Sequence, residues 1–256
     1  MIEIRFQAAN PGQFFACCGL LELANRLWSG AEGWFEDYAF RLRPTAECAH
    51  DLGALLTAIS TAPLEQIDSE DETSSPVGVP PPFDLRLDWW QDTPAGCKEL
   101  KTWAGRMSGV RIARAMQAEL TKNEYHNAGL LDRGTVVYDP AEPDKKVEPY
   151  YFDARRGSSA HPLDIGFAPD PLQMTSAAFP AVEFLSLAGL QRFRPKTLDR
   201  PRVFDYYVWR IPLPPELAAV AACGMLGPDS ARGYRFENAF RTDQRKHKGF
   251  TSATQI

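Results

Sequence analysis

The sequence predicts an α+β fold, with mixed helices and short β-strands in one compact body and an irregular basic C-terminal extension. Three observations predict it. Stretches alternating with period two recur along the chain, strongly apolar helical stretches lie among them in no regular order, and the tail mixes Arg and Lys with aromatics in neither period. The 256 residues suffice to bury a core without staples. The organisation read from composition is an N-terminal α/β part over 1–64, an acidic Ser/Pro-rich flexible loop over 65–82 and a basic α+β part over 83–256, together one integrated domain.

Taken in order, Ile2, Ile4 and Phe6 alternate with Glu3, Arg5 and Gln7, which predicts an opening strand. Asn10 is placed to cap a helix whose first residue is Pro11 and whose third is Gln13. That helix runs to about Trp28 and is apolar nearly all round, so it is expected at the centre of the core. Trp34 to Leu42 carries aromatics in a strand pattern, and His50 to Ile59 places Leu52, Leu55, Leu56 and Ile59 on one helical side. The stretch EQIDSEDETSSPVGVPPP at 65–82 has too little apolar content for a core and is expected as a mobile loop. FDLRLDWW at 83–90 alternates again, the pattern of an exposed hairpin.

From Lys98 to Asn123 the periodicity is helical, but its apolar stripe changes face. Leu100, Trp103, Met107 and Val110 cluster on one side and Ile112, Ala113, Met116 and Leu120 on another, which predicts a break near Gly105 or Gly109. Gly134 to Asp170 reads as short strands and loops, Pro180 to Gln191 as a helix, and Val203 to Ile211 as a strand.

Charge divides the chain. Residues 1–97 hold 15 acidic and 5 basic side chains, whereas residues 98–256 hold 18 acidic and 23 basic. A chain that gathers its arginines in this way can offer a footprint for a nucleic acid or dock on an acidic protein. The five cysteines form an odd set without a C-x-x-C pair, as in a reduced, cytoplasmic protein. The start MIEIRFQAANPGQ has no signal-peptide pattern, and no apolar run approaches the roughly 20 residues of a membrane span.

Enzyme signatures are missing from the sequence. It contains no phosphate-binding glycine loop, no G-x-S-x-G and no H-E-x-x-H, and the four histidines (His50, His126, His161, His247) have no metal-spaced partner. No catalytic residue, metal or cofactor is therefore assigned. Ser158, His161 and Asp164 carry the letters of a hydrolytic triad, but neighbours this close in sequence rarely reach its geometry, and a polar loop is the expected state. Asn10 to Gln13 could present backbone donors to a phosphate, although simple capping explains them. Trp89-Trp90 reads either as an interaction tip or as core.

Four basic groups remain: Lys98 to Lys122, Arg155 with Arg156, Arg192 to Arg210, and Arg232 to Lys248. Guanidinium forks grip phosphates and interleaved aromatics stack on unpaired bases, while the bland alternative is a solvated surface. The candidates by charge and position are Lys101, Arg106, Arg111, Arg114 and Lys122 as a helical phosphate-binding face, and Arg155 and Arg156 in a loop. Arg192, Arg194 and Lys196 follow a helix, and Arg245, Lys246 and Lys248 lie in the tail. Gln13 and Asn123 are candidates for base edges, because amides pair well with adenine.

Five stretches carry a resemblance: NPGQFFACCGLLELANRLW at 10–28, LKTWAGRMSGVRIARAM at 100–116, YYFDARRGSSAHPLDIGFAPDPL at 150–172, AFPAVEFLSLAGLQRFRP at 178–195 and FRTDQRKHKGFTSAT at 240–254. Together they resemble a CRISPR-associated family of type I-G loci, formerly type I-U, regarded as a divergent large-subunit-like component of the Cascade effector. The resemblance implies a non-catalytic subunit that works with guide RNA, target DNA, other Cascade subunits and a recruited helicase-nuclease. Such subunits read a short protospacer-adjacent motif and help open the R-loop, while base pairing reads the rest. The chain is short for a large subunit, so motif reading is either its own or shared. Two rivals stand beside this reading: a scaffold subunit that touches little nucleic acid, and an RNA-processing nuclease using His126 or His161.

Overall fold

Alternation sets the first strand. Ile2–Arg5 (β1) buries Ile2 and Ile4 and exposes Glu3 and Arg5. A computed structural model describes residues 1–45, 51–68, 70–103, 107–156, 177–227, 231–241 and 247–256, with Arg156 through its backbone alone. The aromatic stretch expected as one strand is a hairpin, Ala31–Glu36 (β2) and Ala39–Pro44 (β3), turned at Asp37 with φ +53°. β1 completes an antiparallel sheet in the order β1-β3-β2.

The first helix (α1) spans Pro11–Trp28 as the sequence predicts, and the Asn10 side chain accepts the Gln13 backbone N–H. Its all-round apolarity has a physical reason: it is covered on several sides, packing on helix α5 (Pro180–Arg192), on β2 and β3, and through Phe14 on Tyr206 and Trp209. The two helices touch backbone to backbone. A Cβ on Gly19 would collide with the Leu185 carbonyl, and one on Gly189 with the Phe15 carbonyl.

Among the described residues three further α-helices lie between them in the chain: α2 (Leu52–Thr61), the single turn α3 (Cys97–Leu100) and α4 (Gly109–Glu119). The predicted break in the Lys98–Asn123 periodicity falls between α3 and α4, where Ser108 caps the new helix by accepting the Arg111 N–H.

The acidic stretch 65–82 is not the mobile loop that composition suggested. Glu65–Gln66 (β4), Val77–Val79 (β5) and Leu85–Leu87 (β6) form a second antiparallel sheet in that order, burying Val77 and Val79. Its polar turn is held by donors rather than by apolar area. The Trp103 indole donates to the Thr73 carbonyl at 2.7 Å and the Trp90 indole to the Ser74 carbonyl at 2.8 Å. Nor is 83–90 an exposed hairpin: only β6 is strand, and Trp89 and Trp90 are both buried, ruling out an interaction tip.

The third sheet corrects the expected irregular extension. Lys196–Thr197 (β7), Val203–Trp209 (β8), Ala231–Phe240 (β9), Lys248–Phe250 (β10) and Thr254–Gln255 (β11) pair antiparallel in the order β10-β9-β8-β7, with β11 beside β9. Helix α6 (Pro215–Ala222), which the sequence did not suggest, connects β8 to β9. The core runs continuously from Ile2 to Ala253, joining the acidic and basic parts. Trp209 donates its indole N–H to the Gly33 carbonyl at 2.8 Å, and Gly33 bridges Leu213, so β2 meets the chain just beyond β8.

Candidate nucleic-acid interface

Most of the described cations nominated by charge are spent on internal partners. Arg111 binds Asp139 and, at 2.6 Å, Glu142. The Ala141 N–H and the Arg111 guanidinium hold the Asp139 carboxyl below the usual range against its burial. Arg114 donates to the Leu64 carbonyl at 2.7 Å, and Lys122 pairs with Glu119 at 2.5 Å. Arg155 forks onto Asp153, reaches the Leu131 carbonyl at 2.6 Å and lies 3.5 Å over the Phe179 ring. Arg192 holds buried Glu22 at 2.5 Å, and Arg194 pairs with Asp92.

Two nominations are corrected by burial and a third by its carbonyl partners. Gln13 is fully buried, accepting the Gln7 N–H at 2.7 Å and directing its amide to Leu131 and Asp132, so it has no free edge for a base. Lys101 is buried and donates to Thr73 and Ser74 at 3.1 and 2.9 Å. Lys248 donates to the Lys98 and Glu99 carbonyls. Desolvation lowers both lysines to about 8. The α1 N-terminus is covered as well: Asn10 also accepts the Ala154 N–H at 3.1 Å, and Gly12 abuts the Phe152 carbonyl.

Asn123 and Lys196 are exposed, with no side-chain partner among the described residues. Arg106, Arg245 and Lys246, the Arg156 side chain, His50, and the stretch containing Ser158, His161 and Asp164 lie outside the described residues. Among the described residues no group of three or more His, Cys, Asp or Glu could hold a metal ion.

A different set converges where the first and third sheets meet. Register pairs Tyr206 with Tyr234 and Val208 with Arg232, so alternation carries one face of the β8–β9 ladder from buried tyrosines outward to arginine. Arg210 continues that row past the end of β8. Opposite stand Trp34 and the β2–β3 turn, whose Tyr38 is 84% exposed. Between the two walls lies a groove of about 570 Å³. Both arginines are exposed and lack an acidic partner among the described residues.

The basic-group reading contained Arg210 and Arg232 but did not single them out, and it read Trp34 and Tyr38 only as strand aromatics. The available signal was the acidic pair Glu36-Asp37 inside WFEDYAF, which marks a turn that leaves Tyr38 at a tip. No helix among the described residues is long and apolar enough to cross a membrane. In comparisons with known proteins, no family model, no curated sequence and no solved structure matches this chain.

Proposed function

We propose that the chain is a non-catalytic subunit of a type I RNA-guided surveillance complex, acting in the cytoplasm and holding single-stranded guide RNA or displaced target DNA. The observation that carries the reading is the groove, where two arginines without acidic partners among the described residues stand beside the half-buried ring of Trp34 and the exposed ring of Tyr38. Arginine for phosphate and aromatic rings for bases are the two components of sequence-tolerant single-strand binding. The resemblance of the five stretches to the type I-G family supplies the assembly, its guide RNA and its recruited helicase-nuclease. Duplex motif reading and R-loop opening would then be shared with other subunits.

The test is fluorescence anisotropy of the full chain with unstructured RNA and DNA strands at two salt concentrations, beside Arg210→Glu/Arg232→Glu. Losing two phosphate contacts should lower the slope of log K against log salt by about 1.4, at roughly 0.7 per single-strand phosphate. An unchanged slope and affinity in the double variant would remove the groove from the reading.

A separate observation favours the scaffold alternative. Beside and along α6, Ile211, Leu217, Val220 and Met225 are exposed apolar side chains, Met225 at 76%. A subunit of that kind enters the complex with its neighbours and binds no strand by itself.

A further inference from the structure

We infer that the groove is selective for an unpaired guanine nucleotide, with Asp37 as the residue that reads the base. The inference rests on the single-strand reading of the same groove and adds a specificity to it. Its basis is the groove's polarity. Arg210 and Arg232 line it as cations, while Glu36 and Asp37 line it from the β2–β3 turn. The two carboxylates are not equivalent: Arg41 holds Glu36 at 2.6 Å, whereas Asp37 has no cation or hydrogen-bond donor on its side chain among the described residues. Tyr38, which follows it, presents an uncommitted ring.

A ligand that satisfies all three features is anionic at one end, flat in the middle and donor-rich along one edge. A nucleotide has that form, and a groove of about 570 Å³ accommodates one. The donor edge selects the base. An ionised carboxylate only accepts, and it takes two parallel N–H donors best. Guanine offers adjacent N1–H and N2–H donors on its Watson–Crick edge. Adenine and cytosine place a ring-nitrogen acceptor beside their amine, which repels the carboxylate, and uracil flanks its single N–H with two carbonyl acceptors. The guanine ring then lies against Tyr38 and its phosphate reaches the arginines.

Asp37 also allows a clean variant. Its φ of +53° is left-handed, a conformation that Asn adopts as readily as Asp, so Asp37→Asn removes the charge without disturbing the turn. The probe is a set of uridine RNA heptamers carrying one central guanosine, adenosine, cytidine or uridine, titrated by anisotropy against the full chain. The guanosine strand should bind about tenfold more tightly than the others. Asp37→Asn should bring it to within about twofold of the uridine strand, while Arg210→Ala should weaken all four strands alike and leave the guanosine preference in place. Equal binding of all four strands by the wild type overturns guanine selectivity and leaves single-strand binding standing. Binding of none overturns both, and a guanosine preference that survives Asp37→Asn removes Asp37 as its reader.

Discussion

Charged side chains in this protein are committed to the fold, and Lys101 illustrates the energetic consequence. Its ammonium is buried against Trp103 and two polar groups of the acidic turn, and desolvation lowers it to about 8. An unfolded lysine titrates near 10.4. Between roughly pH 8 and 10.4 the unfolded chain therefore binds more protons than the folded one, so this group's contribution to stability rises with pH through that window. Below pH 8 both states are charged and the burial penalty is present in full. The buried thiols of Cys17 and Cys18 are shifted up by desolvation and act in the opposite sense, so total stability is a poor readout. The informative quantity is the urea midpoint of Lys101→Met relative to wild type. That variant should be relatively more stable at pH 7.5 than at pH 9.5. A difference that stays constant over this range would show that the ammonium is not desolvated.

At the scale of elements, the pairing of α1 with α5 is the least tolerant contact. Gly189→Ala places a methyl against the Phe15 carbonyl, and neither backbone can retreat without disturbing the aromatic cluster of Phe14, Tyr206 and Trp209. Overpacking of this kind costs about 1–3 kcal/mol, measurable as a lowered urea midpoint with an unchanged m-value. Unchanged stability would mean that the helices are separated by more than this geometry allows. Both helices were legible in the sequence, because Pro at the first turn and continuous apolar residues need no tertiary information. The tail was not. In β9 the alternation of Tyr234 and Phe236 with Arg235 and Glu237 was present, but the surrounding basic residues read as solvated, and only register shows Arg235 pairing with buried Asp205 at 2.8 Å. The acidic turn was misread for the converse reason. Its stability comes from indole and lysine donors up to 30 residues away, which no local window contains.

Over the whole molecule, net charge by segment is a weaker guide to binding than charge left unpaired. The excess of cations after residue 97 is real, yet Arg111, Arg155, Arg192 and Arg194 face carboxylates inside the same chain, two of them from the acidic first 97 residues. Glu22 and Asp92 show the pattern: the acidic part of the sequence neutralises the basic part by folding onto it. Sequence reasoning therefore recognised a cation-rich surface but could not tell spent arginines from free ones, because pairing at separations such as Glu22 to Arg192 exists only in the fold. This distinction yields a prediction with two arms. Arg111→Glu/Arg114→Glu places carboxylates beside Asp139, Glu142 and the Leu64 carbonyl, so it should lower stability by about 1–3 kcal/mol while strand affinity per folded molecule stays near wild type. Arg210→Glu/Arg232→Glu breaks no ion pair described in the fold, so it should leave the urea midpoint within about 0.5 kcal/mol of wild type and weaken strand binding. Urea denaturation and anisotropy on the same two preparations separate the effects. If the α4 double variant folds normally and loses binding while the groove variant does neither, the binding surface lies on α4 and the internal pairing of its arginines gives way to phosphate on association.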